Sequence, residues 1–134
     1  MDQLLKFLIA HLSFLYRAYG FRFVDSMYDD VSFGSAYLIL ESPKLRLQFI
    51  NDRGDLLLDF QSIHTKKAKW FSMDMIQQLI TGVVQESGVM DADKADFLHN
   101  NLERIFDLFS SSNVKDTYLK LKQLEHERGK RLFG

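Results

Sequence analysis

Residues 45–60, LRLQFINDRGDLLLDF, contain two runs in which apolar residues hold every second position, one on each side of a break that contains a glycine. The apolar positions are Leu45, Leu47 and Phe49 before the break and Leu56, Leu58 and Phe60 after it. Alternation with a period of two is typical of a strand with one buried face, and two such runs around a glycine predict a β-hairpin. This segment therefore predicts an antiparallel sheet.

A further strand, residues 35–41, precedes the hairpin and is joined to it by a turn with proline at its second position, where the fixed φ of proline fits. Pairing Ser42 with Leu45 across this turn places Leu40 opposite Leu47. One face of the sheet then carries a single apolar set, which consists of Leu38, Leu40, Leu47, Phe49, Leu56 and Leu58. Because a slip by one residue would expose the whole set, we expect this facing to be strongly specified.

The second turn allows two registers with the same facing. A four-residue loop, residues 51–54, sets Arg46 between Glu41 and Asp59 on the face opposite the leucines. A shorter Arg53-Gly54 turn loses the pair between Arg46 and Asp59. Opposite charges paired across strands contribute roughly 0.2–1 kcal/mol each, so the longer loop is the preferred prediction.

Residues 3–19 predict an amphipathic helix that ends at Gly20, with a stripe of leucines on its buried side. The stripe consists of Leu5, Leu8, Leu12 and Leu15. Asp2 stands where a signal peptide would carry a basic residue, and no small-residue cleavage site follows. Lys6, His11 and Arg17 interrupt what would otherwise be a candidate membrane span. We therefore expect a helix of the folded domain.

After residue 60 the pattern becomes helical. Ser72 is expected to cap a helix that continues to Gln85, and Asp91 to cap the next one. A last helix follows Asn113, and its basic end, residues 126–134, is expected to fray. The order of helices and strands predicts an α+β domain spanning residues 1–134. It consists of an N-terminal helix, a four-stranded antiparallel meander whose first strand lies near residues 21–27, and three C-terminal helices.

The composition narrows the function classes. The 134 residues include no cysteine, and 17 basic residues nearly balance 18 acidic ones, giving a net charge of −1. Disulfides, zinc–thiolate sites and a cysteine nucleophile are therefore excluded, and no overall charge attracts nucleic acid. The four histidines lie on separate elements, and no phosphate-binding loop or nucleophile elbow occurs. We predict that the protein is not an enzyme and has neither a cofactor nor a metal.

A short basic and aromatic segment leaves one alternative to consider. Lys66, Lys67 and Lys69 precede Trp70 and Phe71, which is a mixture that can contact single-stranded nucleic acid. The balanced net charge favours a solvated loop instead, since affinity for phosphates needs a concentrated basic surface.

Five aspartates fall at turns that a meander brings to one end of the sheet. They are Asp25, Asp29, Asp30, Asp52 and Asp55. Aspartate favours turns for local reasons, so no single one of them indicates a site. As a group, however, they predict an acidic rim on which a basic protein partner docks.

Four segments together resemble the immunity proteins encoded beside bacterial polymorphic or contact-dependent toxins. The segments are YGFRFVDS at 19–26, LRLQFINDRGDLLLDF at 45–60, WFSMDMIQQLITG at 70–82 and ERGKRLFG at 127–134. The resemblance implies a cytoplasmic protein, monomeric or homodimeric, that binds and neutralises one cognate toxin domain. It brings no binding residues with it. Two alternatives stay open, a dimeric adaptor similar to secretion chaperones and a small enzyme of unfamiliar type.

Overall fold

The computed structural model describes residues 1–29, 35–64 and 69–134 as an α+β fold, the predicted class. In chain order the elements are α1 (Asp2–His11), α2 (Phe14–Ala18), β1 (Arg22–Asp29), β2 (Ser35–Glu41), β3 (Arg46–Asp52), β4 (Asp55–Gln61), β5 (Phe71–Ser72), α3 (Met73–Thr81), α4 (Ala92–Leu108) and α5 (Val114–Phe133). All strands pair antiparallel in the order β1-β2-β3-β4-β5. The sheet thus has five strands instead of the predicted four, because the short β5 adds Phe71 opposite Phe60.

The hairpin of β2 and β3 has the predicted register. Leu38 pairs with Phe49, Leu40 pairs with Leu47, and the Ser42 N–H donates to the Leu45 carbonyl over 2.9 Å. The predicted core face is buried except at Leu56, which is half-buried. The alternation of apolar residues was therefore sufficient to fix this part of the sheet.

The preferred register for β3 and β4 is wrong, and the shorter Arg53-Gly54 turn is the one present. Asp52 pairs with Asp55, and the two turn residues have φ values of 56° and 94°. Positive φ at both central positions is the geometry of a type I′ turn, whose twist matches that of the flanking strands. The Asn51 side chain strengthens the turn by accepting a hydrogen bond of 2.8 Å from the Gly54 N–H.

This register changes the partners of Arg46. Its Nε lies 3.0 Å from Glu41, as predicted, but its Nη1 donates to Gln61 over 2.5 Å. Asp59 instead pairs with Gln48, on the same face but two residues away from the predicted position. One cross-strand charge pair was too weak to override the geometry of the turn.

The N-terminal segment is two helices, because α1 ends at His11 and α2 begins only at Phe14. Leu8, Leu12 and Leu15 are buried as predicted, but Leu5 is 39% exposed and Leu4 takes its place in the core. One position along a helix is a rotation of about 100°, so the buried stripe begins at Leu4 instead of Leu5 and keeps its other three predicted members.

Helix α3 also differs from the prediction, because it ends at Thr81 and not at Gln85. Gly82 takes a left-handed conformation with a φ of 76°, and Val83 and Val84, which lie within the predicted helix, are exposed outside it. The chain then returns to the sheet, where Val89 forms a bridge with Leu57. Leaving the helix early is what allows this return.

The C-terminal helices enclose the core from one side of the sheet. Asp91 caps α4 as predicted, with its carboxylate accepting a hydrogen bond of 2.8 Å from the Lys94 N–H. Helix α5 extends to Phe133, through the segment that was predicted to fray, and Arg128 in this segment forms an ion pair of 2.8 Å with the buried Asp74 of α3. A single cluster of buried apolar side chains draws on every helix and on strands β2 to β5.

Candidate functional site on the open face of the sheet

Among the described elements, the helices cover one face of β2 and β3. Along both strands, buried side chains alternate with half-exposed ones, and α1 packs against the buried side. Such alternation is typical of an antiparallel sheet with one solvated face. We call the opposite side, with its half-exposed residues, the open face.

A continuous band of apolar side chains crosses the open face from one edge to the other. Met27 pairs with Tyr37, Tyr37 with Ile50, and Ile50 with Leu57, which forms a bridge with Val89. We call these five residues the apolar row. Met27 and Val89 at its ends are each 37% exposed, and the three residues between them are half-buried. A contiguous apolar band that reaches the surface is one of the features that mark interaction sites.

Three of the predicted acidic residues lie beside the apolar row. Asp29 is two residues beyond Met27, Asp52 two beyond Ile50, and Asp55 two before Leu57, so the strand period of two places them all on the open face. Asp52 pairs directly with Asp55, with Arg53 in the turn between them, and both are exposed. Asp30, the fourth residue predicted for this end, lies outside the described residues. The acidic edge of the open face therefore consists of Asp29, Asp52 and Asp55.

Asp25 lies apart from the acidic edge, on the other side of the apolar row. It pairs with Ile39, and its carboxylate accepts one hydrogen bond of 2.8 Å from the Ser26 N–H and another of 3.5 Å from the Tyr37 hydroxyl. The prediction placed Asp25 with the other four because the first strand was expected to end at Met27. The strand continues to Asp29, so Asp25 lies four positions inside its end.

Asp59 adds a further carboxylate to the open face. The sequence had predicted an ion pair between this carboxylate and Arg46. It pairs with Gln48 on one side and with Ser72 on the other. Partial burial raises the pKa of Asp59, and the nearby charge of Asp74 raises this pKa further. A cation placed over Asp59 would relieve this unfavourable environment. No signal in the sequence shows the raised pKa of Asp59, since the contribution of Asp74 depends on how the fold brings that residue to the sheet.

The histidines occupy different surroundings. The His99 ring stacks on Phe14 with a centroid distance of 4.1 Å and an interplanar angle of 5°. His64 is exposed and lines an open depression of about 430 Å³ with Glu103 and Asp107. In the described ranges, no three histidine or carboxylate side chains lie close enough together to hold a metal ion.

The basic and aromatic segment is partly accounted for by contacts within the chain. Lys69 forms an ion pair of 2.5 Å with Glu125, and its ammonium lies 5.6 Å from the centre of the Phe71 ring. Lys66 and Lys67 lie outside the described residues. Lys69 is therefore paired within the chain, and the interpretation of this segment as a solvated loop stays a prediction.

Comparison of the chain with protein-family models, with curated proteins and with solved structures gives no match. None of the described helices combines the length and the apolar character that crossing a bilayer requires. The candidate site is therefore defined by the geometry of the chain alone.

Proposed function

We propose that the protein is a non-enzymatic cytoplasmic binding protein of the immunity type, which neutralises a cognate bacterial toxin domain by stoichiometric binding. We further propose that the toxin domain docks on the open face. The observation that supports this is the apolar row with the acidic edge directly beside it. An apolar centre with charged surroundings is the usual anatomy of a protein interface.

The two parts of the surface would contribute in different ways. Desolvation of the apolar row would supply most of the binding free energy, since apolar area removed from water is worth roughly 25 cal/mol per Å². The acidic edge would steer a basic partner during association and would select against acidic proteins. Asp59, whose pKa is raised by burial and by Asp74, would favour a partner that places an arginine or a lysine above it.

The experiment titrates the purified protein by calorimetry with the C-terminal domain of the protein that the neighbouring open reading frame encodes, and the proposal expects stoichiometric binding. Ile50→Glu places a charge in the middle of the apolar row and should weaken binding by roughly 100-fold or more, since a buried unpaired charge is costly. Ile9→Glu is the matched control, because Ile9 is 64% exposed on α1, behind the sheet. It introduces the same charge and should leave the affinity unchanged.

A second variant tests the acidic edge. Replacing Asp29, Asp30, Asp52 and Asp55 together by asparagine should slow association at low salt and have little effect at high salt, because screening sets in over about 8 Å at physiological ionic strength. Equal binding by the Ile50→Glu and Ile9→Glu proteins would place the interface elsewhere. Turnover of a small molecule by the purified protein, abolished by His64→Ala, would instead favour the enzyme alternative.

A further inference from the structure

Strand β1 is a long, exposed edge of the sheet. It spans Arg22–Asp29, pairs with β2 on one side, and has no neighbour on its other side among the described residues. Phe23, Val24 and Tyr28 are 52%, 52% and 56% exposed. An edge of this length with apolar side chains is a template for pairing with another strand.

The backbone of β1 presents hydrogen-bonding groups at this edge in a defined order. In the antiparallel ladder, the Ser42 N–H points to β3, so Glu41, Ile39 and Tyr37 direct their backbone groups to β1. Their partners in β1 point back to β2, which leaves Phe23, Ser26 and Tyr28 directed outward. The Ser26 N–H agrees with this geometry, because it bonds to the Asp25 carboxylate beside it.

We propose that β1 pairs antiparallel with β1 of a second copy of the chain, around a twofold axis at Ser26. The register of β1 skips Val24, which is the extra residue of a bulge between Phe23 and Asp25. When Val24 is left unpaired in both copies, Ser26 of one copy pairs with Ser26 of the other. Every cross-strand pair then joins two side chains on the same side of the combined sheet. The remaining pairs are Phe23 with Tyr28, Arg22 with Asp29, and Asp25 with Met27.

The chemistry of these pairs favours a second copy over an unrelated strand. Each dimer would contain two aromatic pairs and two opposite-charge pairs, and no like charges would face each other. Arg22 can pair with Asp29 of the second copy, because Glu41, which lies opposite Arg22 in β2, already forms an ion pair of 3.0 Å with Arg46. The exposed bond between Ser26 and Asp25 would be exchanged for a bond between the copies. The twofold symmetry closes the assembly at two chains, so no fibre forms.

The dimer shares Met27 and Asp29 with the open face, but it is inferred independently of the proposed function, and its test needs no toxin. One strand pair is a small interface, so we expect a dissociation constant on the order of tens of micromolar. Sedimentation equilibrium from about 5 µM to about 1 mM brackets this value. Wild-type protein should change from monomer to dimer across this range.

Ser26→Pro is the sharpest variant. Proline removes the outward N–H of Ser26 and is tolerated in an edge strand where that group faces solvent. This variant should keep its circular dichroism spectrum and remain monomeric throughout the range. Ser26→Ala retains the N–H and should dimerise as the wild type does. Dimerisation of Ser26→Pro with wild-type affinity would overturn the proposal.

A charge exchange tests the register without proline. Arg22→Asp should weaken dimerisation by about tenfold or more, because two favourable pairs become repulsive. Arg22→Asp combined with Asp29→Arg should restore it. Arg22 and Asp29 lie at opposite ends of one strand, roughly 20 Å apart at the usual rise per residue, so restoration requires contact between two chains. Failure of this rescue, or a wild-type monomer at the highest concentration, would overturn the proposal.

Discussion

Replacing Arg128 by methionine tests how the last helix is attached to the sheet. The Arg128 Nη1 lies 2.8 Å from a carboxylate oxygen of Asp74 and 3.4 Å from the Ser72 hydroxyl. The side chain of Asp74 is only 10% exposed, and it also accepts a short hydrogen bond from Ser72. Removing Arg128 therefore leaves a mostly buried carboxylate without its cation.

The magnitude follows from the burial of the two partners. Breaking a fully buried pair costs about 3–5 kcal/mol, and a hydrogen bond to a charged group about 1.5–3 kcal/mol. The side chain of Arg128 is 33% exposed, so water reaches the vacated position, and the first turn of α3 still stabilises the Asp74 carboxylate. We therefore expect a loss of about 1–3 kcal/mol, or roughly 3–10 °C in Tm for a domain of this size. Methionine preserves most of the apolar packing of the arginine stem.

The assay is urea and thermal unfolding of Arg128→Met, Asp74→Asn and the double variant. A double-mutant cycle should give a coupling of about 1 kcal/mol or more, since each single change removes the same ion pair. Lys120→Met is the matched control. Its ammonium is 2.9 Å from Asp116, but both side chains are more than half exposed, so its loss should cost less than about 0.5 kcal/mol.

Equal stability of the Arg128→Met and Lys120→Met proteins would refute this reasoning. It would mean that the ion pair does not attach α5 to α3, and that the apolar contacts around Leu121 are sufficient. Amide hydrogen exchange gives an independent measurement. In Arg128→Met, protection should be lost first in the part of α5 after residue 125.

Three further changes test the core, a buried polar contact and the titration of the open face. Leu58→Ala should cost about 2–5 kcal/mol in urea unfolding, because this leucine is only 1% exposed in the centre of the sheet. Tyr118→Phe should cost about 0.5–1 kcal/mol in the same assay, since the N–H of the buried Ser62 loses the hydroxyl that accepts its hydrogen bond at 3.4 Å. Asp59→Asn should stabilise the protein at neutral pH. Burial and the charge of Asp74 raise the pKa of Asp59 in the folded protein, so wild-type stability falls as pH rises from the usual value of 3.8 through the raised pKa. In unfolding measured against pH, the advantage of Asp59→Asn should therefore disappear below pH 3.8, and a constant advantage at all pH values would contradict this assignment.

Part of the candidate site followed from the sequence. The turns that carry Asp29, Asp52 and Asp55 could be placed at one end of the sheet, because a meander alternates its turns between two ends. The apolar row was not predicted, although the register of β2 and β3 already pairs Tyr37 with Ile50. The signal that could have revealed the row is the presence of apolar residues at alternate positions on the face opposite the core, namely Tyr37, Ile50 and Leu57.

By itself, the sequence determined the features that depend on neighbouring residues. The alternation in residues 35–60 specified which face of the sheet is buried, because a one-residue slip would expose every leucine of that face. The cap at Asp91 was equally local, since one carboxylate bonds to a backbone N–H three residues later.

Only the tertiary structure decided where several elements end and which turn joins β3 to β4. The local sequence allowed either turn, and it allowed α3 to continue to Gln85. Helix α3 ends at Thr81 and the chain after it brings Val89 to Leu57, while Arg128 near the end of α5 meets the buried Asp74. These contacts join residues that are distant in the chain. Their free energies depend on burial and on distances that no local pattern contains.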